Sequence, residues 1–235
     1  TISDGGNNLS MASFSSSNTN TRTLTMGSAT VWTLTGTGTV WDTGTTTNLT
    51  LTPSTSTIKL TDTSSSSKTF AGGGKTFNNI WLAGGAGTGA YTISGSNTFA
   101  DFKDDGTGAH NVNFTAGSTT TITSLTLDTT GPDLITLAST TPTTQWNLVD
   151  TAGTNTVQYV SITDSCASGG ATWVASDASN VNGGNNCGWT FPALSVSGTA
   201  NGNDGATVKI AINGSIDAHT ATIASSAWSI ANISS

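Results

Sequence analysis

Apolar residues in this chain return at every second position in short runs, and the runs themselves return through most of residues 1–191. Val31-Trp32-Thr33-Leu34, Ile58-Lys59-Leu60, Ile80-Trp81-Leu82, Tyr91-Thr92-Ile93, Val112-Asn113-Phe114 and Ile135-Thr136-Leu137 carry the pattern. So do Thr39-Val40-Trp41, Leu49-Thr50-Leu51 and Trp146-Asn147-Leu148. Apolar residues alternating with Thr, Asn or Ser put one face of a strand in a core and the other in water. No window shows helical periodicity. Gly-Thr, Gly-Ser, Asp-Gly and Gly-Gly turns separate the runs at intervals of about 8–12 residues, the spacing of an all-β sandwich or solenoid.

Three features favour the solenoid. Turns such as Gly84-Gly85-Ala86-Gly87-Thr88-Gly89 are not the two-residue type that joins antiparallel strands. The alternation runs on too long for one ordinary sandwich. Threonine is the outward residue almost everywhere, as expected where strands stack into flat ladders. A single coil cannot close a core, but stacked coils bury a continuous one. The body is therefore predicted to be a β-solenoid over residues 1–191.

Phe191-Pro192 marks a boundary. Beyond it, four β-type segments follow: Leu194-Ser195-Val196-Ser197-Gly198, residues 207–212, residues 219–223 and Trp228-Ser229-Ile230. Asn213-Gly214 is a strong hairpin turn. An immunoglobulin-like sandwich needs roughly seven strands, so residues 193–235 are read as a partial antiparallel unit.

Composition narrows the class. Only 8% of residues are charged, against about 25% in a typical domain. All 13 acidic residues are Asp, and Ser and Thr together make up about a third of the chain. A disordered, mucin-like stalk would be rich in Pro and poor in apolar residues. This chain has 4 Pro, 34% hydrophobic residues and seven Trp. Net charge is −7, with no basic stripe to neutralise phosphates, which excludes a nucleic-acid partner. No run has the length of a transmembrane helix, so no membrane insertion is expected. The chain begins Thr1-Ile2-Ser3 without Met or signal peptide, as a mature secreted product or a fragment would. Cys166 and Cys187, in a Gly/Asn/Ser-rich context, suit a disulfide closing one loop and an oxidising compartment; two free thiols in a reducing cytosol are the alternative.

Further segments carry a resemblance. Residues 1–8, Thr21-Arg22-Thr23-Leu24-Thr25-Met26-Gly27, Leu34-Thr35-Gly36-Thr37-Gly38-Thr39-Val40-Trp41 and Lys68-Thr69-Phe70-Ala71-Gly72-Gly73-Gly74 are of this kind, as are residues 131–140, residues 157–165 and Gly188-Trp189-Thr190-Phe191. Together they resemble repetitive secreted proteins of environmental bacteria and viruses, the right-handed parallel β-helices of adhesins, outer-surface proteins and virion fibres. The stretch from Val196 to Ile230 is similar to bacterial immunoglobulin-like modules that follow such helices. The resemblance implies a right-handed parallel β-helix with a small, incomplete C-terminal sandwich, and carries no catalytic motif. The family usually lacks cysteines where Cys166 and Cys187 stand, and their joint presence here strengthens the disulfide reading.

Few residues suggest chemistry. Gly72-Gly73-Gly74-Lys75-Thr76 mimics a phosphate-binding loop, but Thr69 stands where its first glycine belongs and a strand, not a helix, follows. Asp101, Asp104 and Asp105 cluster as paired acids of glycoside hydrolysis do, although Asp104-Asp105-Gly106 is also an ordinary turn. If the chain were an enzyme, Asp101 with Asp62 or Asp128 would be its carboxylates. Arg22 is the only Arg, the Lys residues are dispersed, and His110 and His219 fall in different units. Asn182-Gly183-Gly184-Asn185-Asn186 and Asn201-Gly202-Asn203-Asp204-Gly205 offer oxygen ligands for calcium, yet fit no calcium-loop pattern and read as turns. No cofactor or metal site is therefore expected. Most tryptophans alternate into the core; Trp173, in a Gly-rich excursion, is predicted to be exposed and to contact a glycan.

The expected role is a non-enzymatic extracellular structural or adhesive solenoid, on a cell or virion surface. Its partial final sandwich suggests head-to-tail or donor-strand self-association into a filament or fibre. A surface glycan is the other expected partner. The competing reading is a carbohydrate-binding or polysaccharide-degrading β-helix of the tailspike or lyase type.

Overall fold

The computed structural model describes the chain except residues 85–88, 106–107, 128–130, 132, 193, 200–204, 213–214, 223, 225–226 and 234–235. It contains no helix among the described residues and divides into two compact units, Thr1–Thr190 and Phe191–Ser235.

The first unit is a parallel β-solenoid of about seven turns. Two eight-stranded parallel sheets run its length. The first is built from Leu9–Met11, Val31–Leu34, Thr57–Leu60, Asn79–Leu82, Thr98–Asp104, Thr119–Leu127, Trp146–Val149 and Ser165–Ser168. The second stacks Phe14–Ser15, Gly38–Asp42, Lys68–Ala71, Tyr91–Ser94, His110–Phe114, Ile135–Ser139, Val160–Ile162 and Val181–Asn182. Three-stranded parallel sheets add a third side near each end: Ile2–Ser3, Arg22–Thr25 and Leu49–Thr52 at one, Thr154–Thr156, Thr172–Val174 and Trp189–Thr190 at the other.

The alternating pattern explains the strands. In Val31–Leu34, Thr57–Leu60 and Asn79–Leu82 every second side chain is buried. Register then stacks like on like: Trp32, Ile58, Ile80 and Phe102 occupy successive rungs, as do Leu34, Leu60 and Leu82. The core is continuous along the axis because rings follow one another. Phe14, Trp41, Phe70, Phe99, Phe102, Phe114 and Trp146 form a column in which each neighbouring pair of centroids lies 3.9–6.0 Å apart. Such pairs contribute about 0.5–1.5 kcal/mol each beyond area burial.

Two departures from strict alternation are instructive. In Gly38–Asp42 both Val40 and Trp41 are buried, because a register shift between Thr39 and Trp41 turns two consecutive side chains inward. The nine-residue strand Thr119–Leu127 spans a corner. It pairs along both halves with Thr98–Asp104 on one side, but only Thr119–Thr121 pair with Asn147–Val149 on the other. Among the described residues, Ser124–Leu127 thus have no strand on that side, and Leu125 and Leu127 stay half-exposed. Rung length changes at the same place, from 28 positions between Thr119 and Asn147 to 19 between Asn147 and Cys166.

Polar groups seal the first rungs. Asp4 is buried and accepts hydrogen bonds from the Gly27 and Gly6 amides, the Thr30 hydroxyl and Trp32 Nε1 (2.8–3.0 Å). Burial by itself pushes its carboxyl up, but these donors outweigh it and hold the group at about 2. A depressed carboxyl stabilises the fold above its ordinary value and loses that contribution as pH falls toward 2. Asp4→Asn should therefore flatten the acid limb of a stability-versus-pH curve between about pH 4 and pH 2, and an unchanged limb would remove Asp4 from the account.

The second unit consists of two two-stranded antiparallel sheets. Leu194–Thr199 pairs with Ala227–Ile233, and Thr207–Ile212 with Ser215–Thr222. Asn213 and Gly214 lie outside the described residues, but Ile212 stands opposite Ser215 on either side of them.

Candidate functional site

The outward faces of the two long sheets differ. On the second, Thr39, Thr69, Thr92, Asn113 and Ala138 stack in one column of small, uncharged side chains. On the first, the matching column runs Thr33, Lys59, Trp81, Lys103 and Thr126. The expectation of threonine on nearly every outward position holds over Thr39, Thr69 and Thr92 on one face and fails in the Lys59–Trp81–Lys103 column of the other.

Parity places these residues outward. Ile80 and Leu82 point into the core, so Trp81 between them points out, and Lys59 and Lys103 follow by the same rule in adjacent rungs. Lys59 Nζ lies 3.4 Å from the Trp81 ring centroid and Lys103 Nζ 4.2 Å. An ammonium over an indole face is attracted by the ring quadrupole. Trp81 Nε1 donates to Asp105 Oδ1, and Lys103 pairs with Asp105 at 3.1 Å. In the next outward column Asp101 stands between Asn79 and Ser124 and accepts from the Thr126 hydroxyl. Lys59 is half-exposed, and the Lys103 side chain is 32% exposed. In a chain with six Lys and Arg, two of them clasp one tryptophan.

The other ionisable groups have internal duties. Lys68 is buried, pairs with Asp62 at 2.8 Å and also donates to the Ser64 carbonyl. Asp104 and His110 face each other in the core at 2.9 Å, both fully buried. Burial works against the imidazolium, but the hydrogen bond and charge of Asp104, with the Gly108 carbonyl, outweigh it and hold His110 above its ordinary value. Asp150 accepts from Asn155, and Asp164 from Asn185 and the Thr143 amide.

The fallback carboxylates are not assembled. Asp101 faces outward from its strand, whereas Asp62 lies past the end of Thr57–Leu60, committed to Lys68 and Ser64. Asp128 lies outside the described residues. Asp101 and Asp104 sit on opposite sides of one strand, because three positions reverse the parity. The Asp104–His110 pair escaped the sequence reading. Its signal was parity: Asp104 follows buried Phe102, and His110 precedes buried Val112 and Phe114.

Trp173 corrects the expectation of an exposed glycan contact. It is only 2% exposed, standing between Asn155 and Trp189 in the third-side ladder, with Nε1 donating to the Ser168 carbonyl. The Gly-rich excursion makes it look external in one dimension; stacking of rungs encloses it. Trp81 turns outward from its strand instead.

The loop Gly72-Gly73-Gly74-Lys75-Thr76 is a solenoid corner. The Gly74 amide donates to Asn97 and Lys75 Nζ to the Leu49 carbonyl. A Cβ on Gly73, whose φ is +68°, would stand 2.4 Å from the Thr43 carbonyl oxygen. In the loop of residues 182–186, Asn182 Oδ1 accepts from the Gly184 amide and from Asn186, while Asn186 Oδ1 accepts from the Ser165 amide. Residues 201–204 of the other candidate calcium loop lie outside the described residues. No group of three metal-ligating side chains occurs among the described residues.

Cys166 and Cys187 form a disulfide across adjacent rungs, with Cα atoms 4.5 Å apart. It fastens the last half-turn, where Gly188 (φ +76°) brings the backbone so close that a Cβ would lie 1.9 Å from the Ala167 carbonyl oxygen. Removing the bridge by Cys166→Ser with Cys187→Ser should cost about 3 kcal/mol. Amide exchange should then rise first in Val181–Asn182 and Trp189–Thr190; uniform change along the solenoid would contradict a local staple.

Comparison with known proteins finds no matching family model, no matching curated protein and no matching solved structure. No helix among the described residues is long and apolar enough to cross a membrane.

Proposed function

We propose that this protein is a non-enzymatic extracellular β-solenoid that serves as a structural or adhesive surface element. One observation carries the reading: its buried acids and bases are consumed in internal hydrogen bonds and ion pairs, within a turn or between rungs, while the described outward columns present small hydroxyl and amide groups around the charged, aromatic Lys59–Trp81–Lys103 cluster. An enzyme of glycans concentrates its carboxylates around one cleft; here Asp4, Asp62, Asp104, Asp150 and Asp164 each fasten a separate turn. The disulfide suits an oxidising compartment.

Self-association follows from edges. Each two-stranded sheet of the second unit offers strand edges, and unpaired edges recruit strands. Negative-stain imaging and light scattering of the purified chain at rising concentration should reveal head-to-tail assemblies; a stable monomer throughout would refute assembly. A polysaccharide depolymerisation assay tests the competing reading, since cleavage lost in Asp101→Ala would make the protein an enzyme.

A further inference from the structure

We propose that the Lys59–Trp81–Lys103 column, with Asn79, Asp101 and Asp105, is a binding site for a linear acidic glycan lying along the solenoid axis. The proposal rests on the adhesive reading and names its ligand class.

Geometry comes first. Lys59 and Lys103 stand on the strands either side of Trp81, and their Nζ atoms, 3.4 and 4.2 Å from its ring centroid, lie no more than about 7.6 Å apart. Two ammoniums this close present a doubled positive charge to acidic groups on neighbouring residues of one polymer chain. The column runs across successive rungs, so a ligand lying along the axis meets both cations together.

The clasp also preorganises the cations. A free lysine loses much rotamer entropy when it binds. Here Trp81 holds both ammoniums over its ring, and Asp105 fixes the indole N–H. Less freedom is then left to lose on binding. Two ammoniums already cover the indole, so Trp81 acts as a positioning residue and not as a stacking platform for a sugar ring.

The neighbouring groups choose among polyanions. Asp101 and Asp105 lie beside the cations and accept hydrogen bonds, and Asn79 adds an amide. A glycan brings hydroxyl donors to those carboxylates between its own charges. Single-stranded DNA carries charge as densely but lacks the ring hydroxyls that would donate to these carboxylates, so they and the net charge of −7 repel it.

Affinity electrophoresis of the full chain against polygalacturonate, alginate, chondroitin sulfate, neutral dextran and a single-stranded oligodeoxynucleotide tests the site. At least one acidic glycan should retard the protein, neutral dextran and DNA should not, and added salt should weaken the effect. Lys59→Gln with Lys103→Gln should weaken that binding by about tenfold or more. Lys59→Arg with Lys103→Arg, which keeps charge and ring contact, should restore it. Circular dichroism melts confirm that each variant folds. Failure to bind any acidic glycan, equal binding of dextran or DNA, or unchanged binding by the Gln double variant would overturn the proposal. An assembly that still forms filaments after such a failure would leave the structural reading standing alone.

Discussion

Trp41→Ala should destabilise the solenoid by about 3–5 kcal/mol, a large share of a typical domain's margin of about 5–15 kcal/mol. Trp41 is fully buried, and its ring touches four others: Phe14 at 4.6 Å and Trp32, Phe70 and Phe77 each at 5.9 Å. Truncation removes the transfer energy of the indole and leaves a void that rigid neighbouring rungs cannot close. The Thr43 hydroxyl loses the Nε1 donor as well. A solenoid is held rung to rung, so the effect should be graded along the axis. Amide exchange should rise most in Phe14–Ser15, Gly38–Asp42 and Lys68–Ala71, and least near Ser165–Ser168. Equal exchange at both ends would show that the column melts as one unit and would contradict nearest-neighbour coupling.

The second large effect concerns the buried Asp104–His110 pair. Asp104 occupies the rung after Leu34, Leu60 and Leu82, and Leu127 follows it. A leucine ladder is thus interrupted once, by a carboxylate whose partner comes from the other sheet. His110→Leu removes the imidazole from that buried carboxylate and should cost about 3–5 kcal/mol. Asp104→Leu with His110→Leu restores the ladder and should be neutral or gain about 1–4 kcal/mol. Chemical denaturation of the two variants checks the reversal; a double variant as weak as the single would show that the polar contacts of the pair, not the cost of a buried charge, decide this corner.

The pair also sets a pH dependence. His110 titrates above its ordinary value, so the stability it contributes is complete below about 6.5 and is lost as pH rises through its folded value. Groups facing it are Asp104, the Tyr91 ring, edge-on with centroids 5.8 Å apart, and the Gly108 carbonyl; Lys103, next to Asp104 on its strand, points to the opposite, outward face and pairs with Asp105. The wild type should weaken as pH rises from about 6.5 through that folded value, and the double Leu variant should lack that slope.

Period-two parity is a local property, so the sequence alone determined the strands, the direction of most side chains and the solenoid class. Ile80-Trp81-Leu82 already contained the outward turn of Trp81, because a strand that buries Ile80 and Leu82 must expose the residue between. What parity cannot contain is register. Rungs vary from 16 to 30 positions, because corners of different length leave the core unchanged. Only the folded stack therefore decides that Lys59 and Lys103 meet Trp81, that Asp104 finds His110, or that Trp173 is enclosed. The disulfide shows both sides of this division. Two cysteines in a small-residue loop suggested the bond from sequence, but its use as a staple on the last rung follows from stacking, which brings positions 21 apart into adjacent strands. Local alternation chose the kind of fold, and long-range registry chose which side chains became a site.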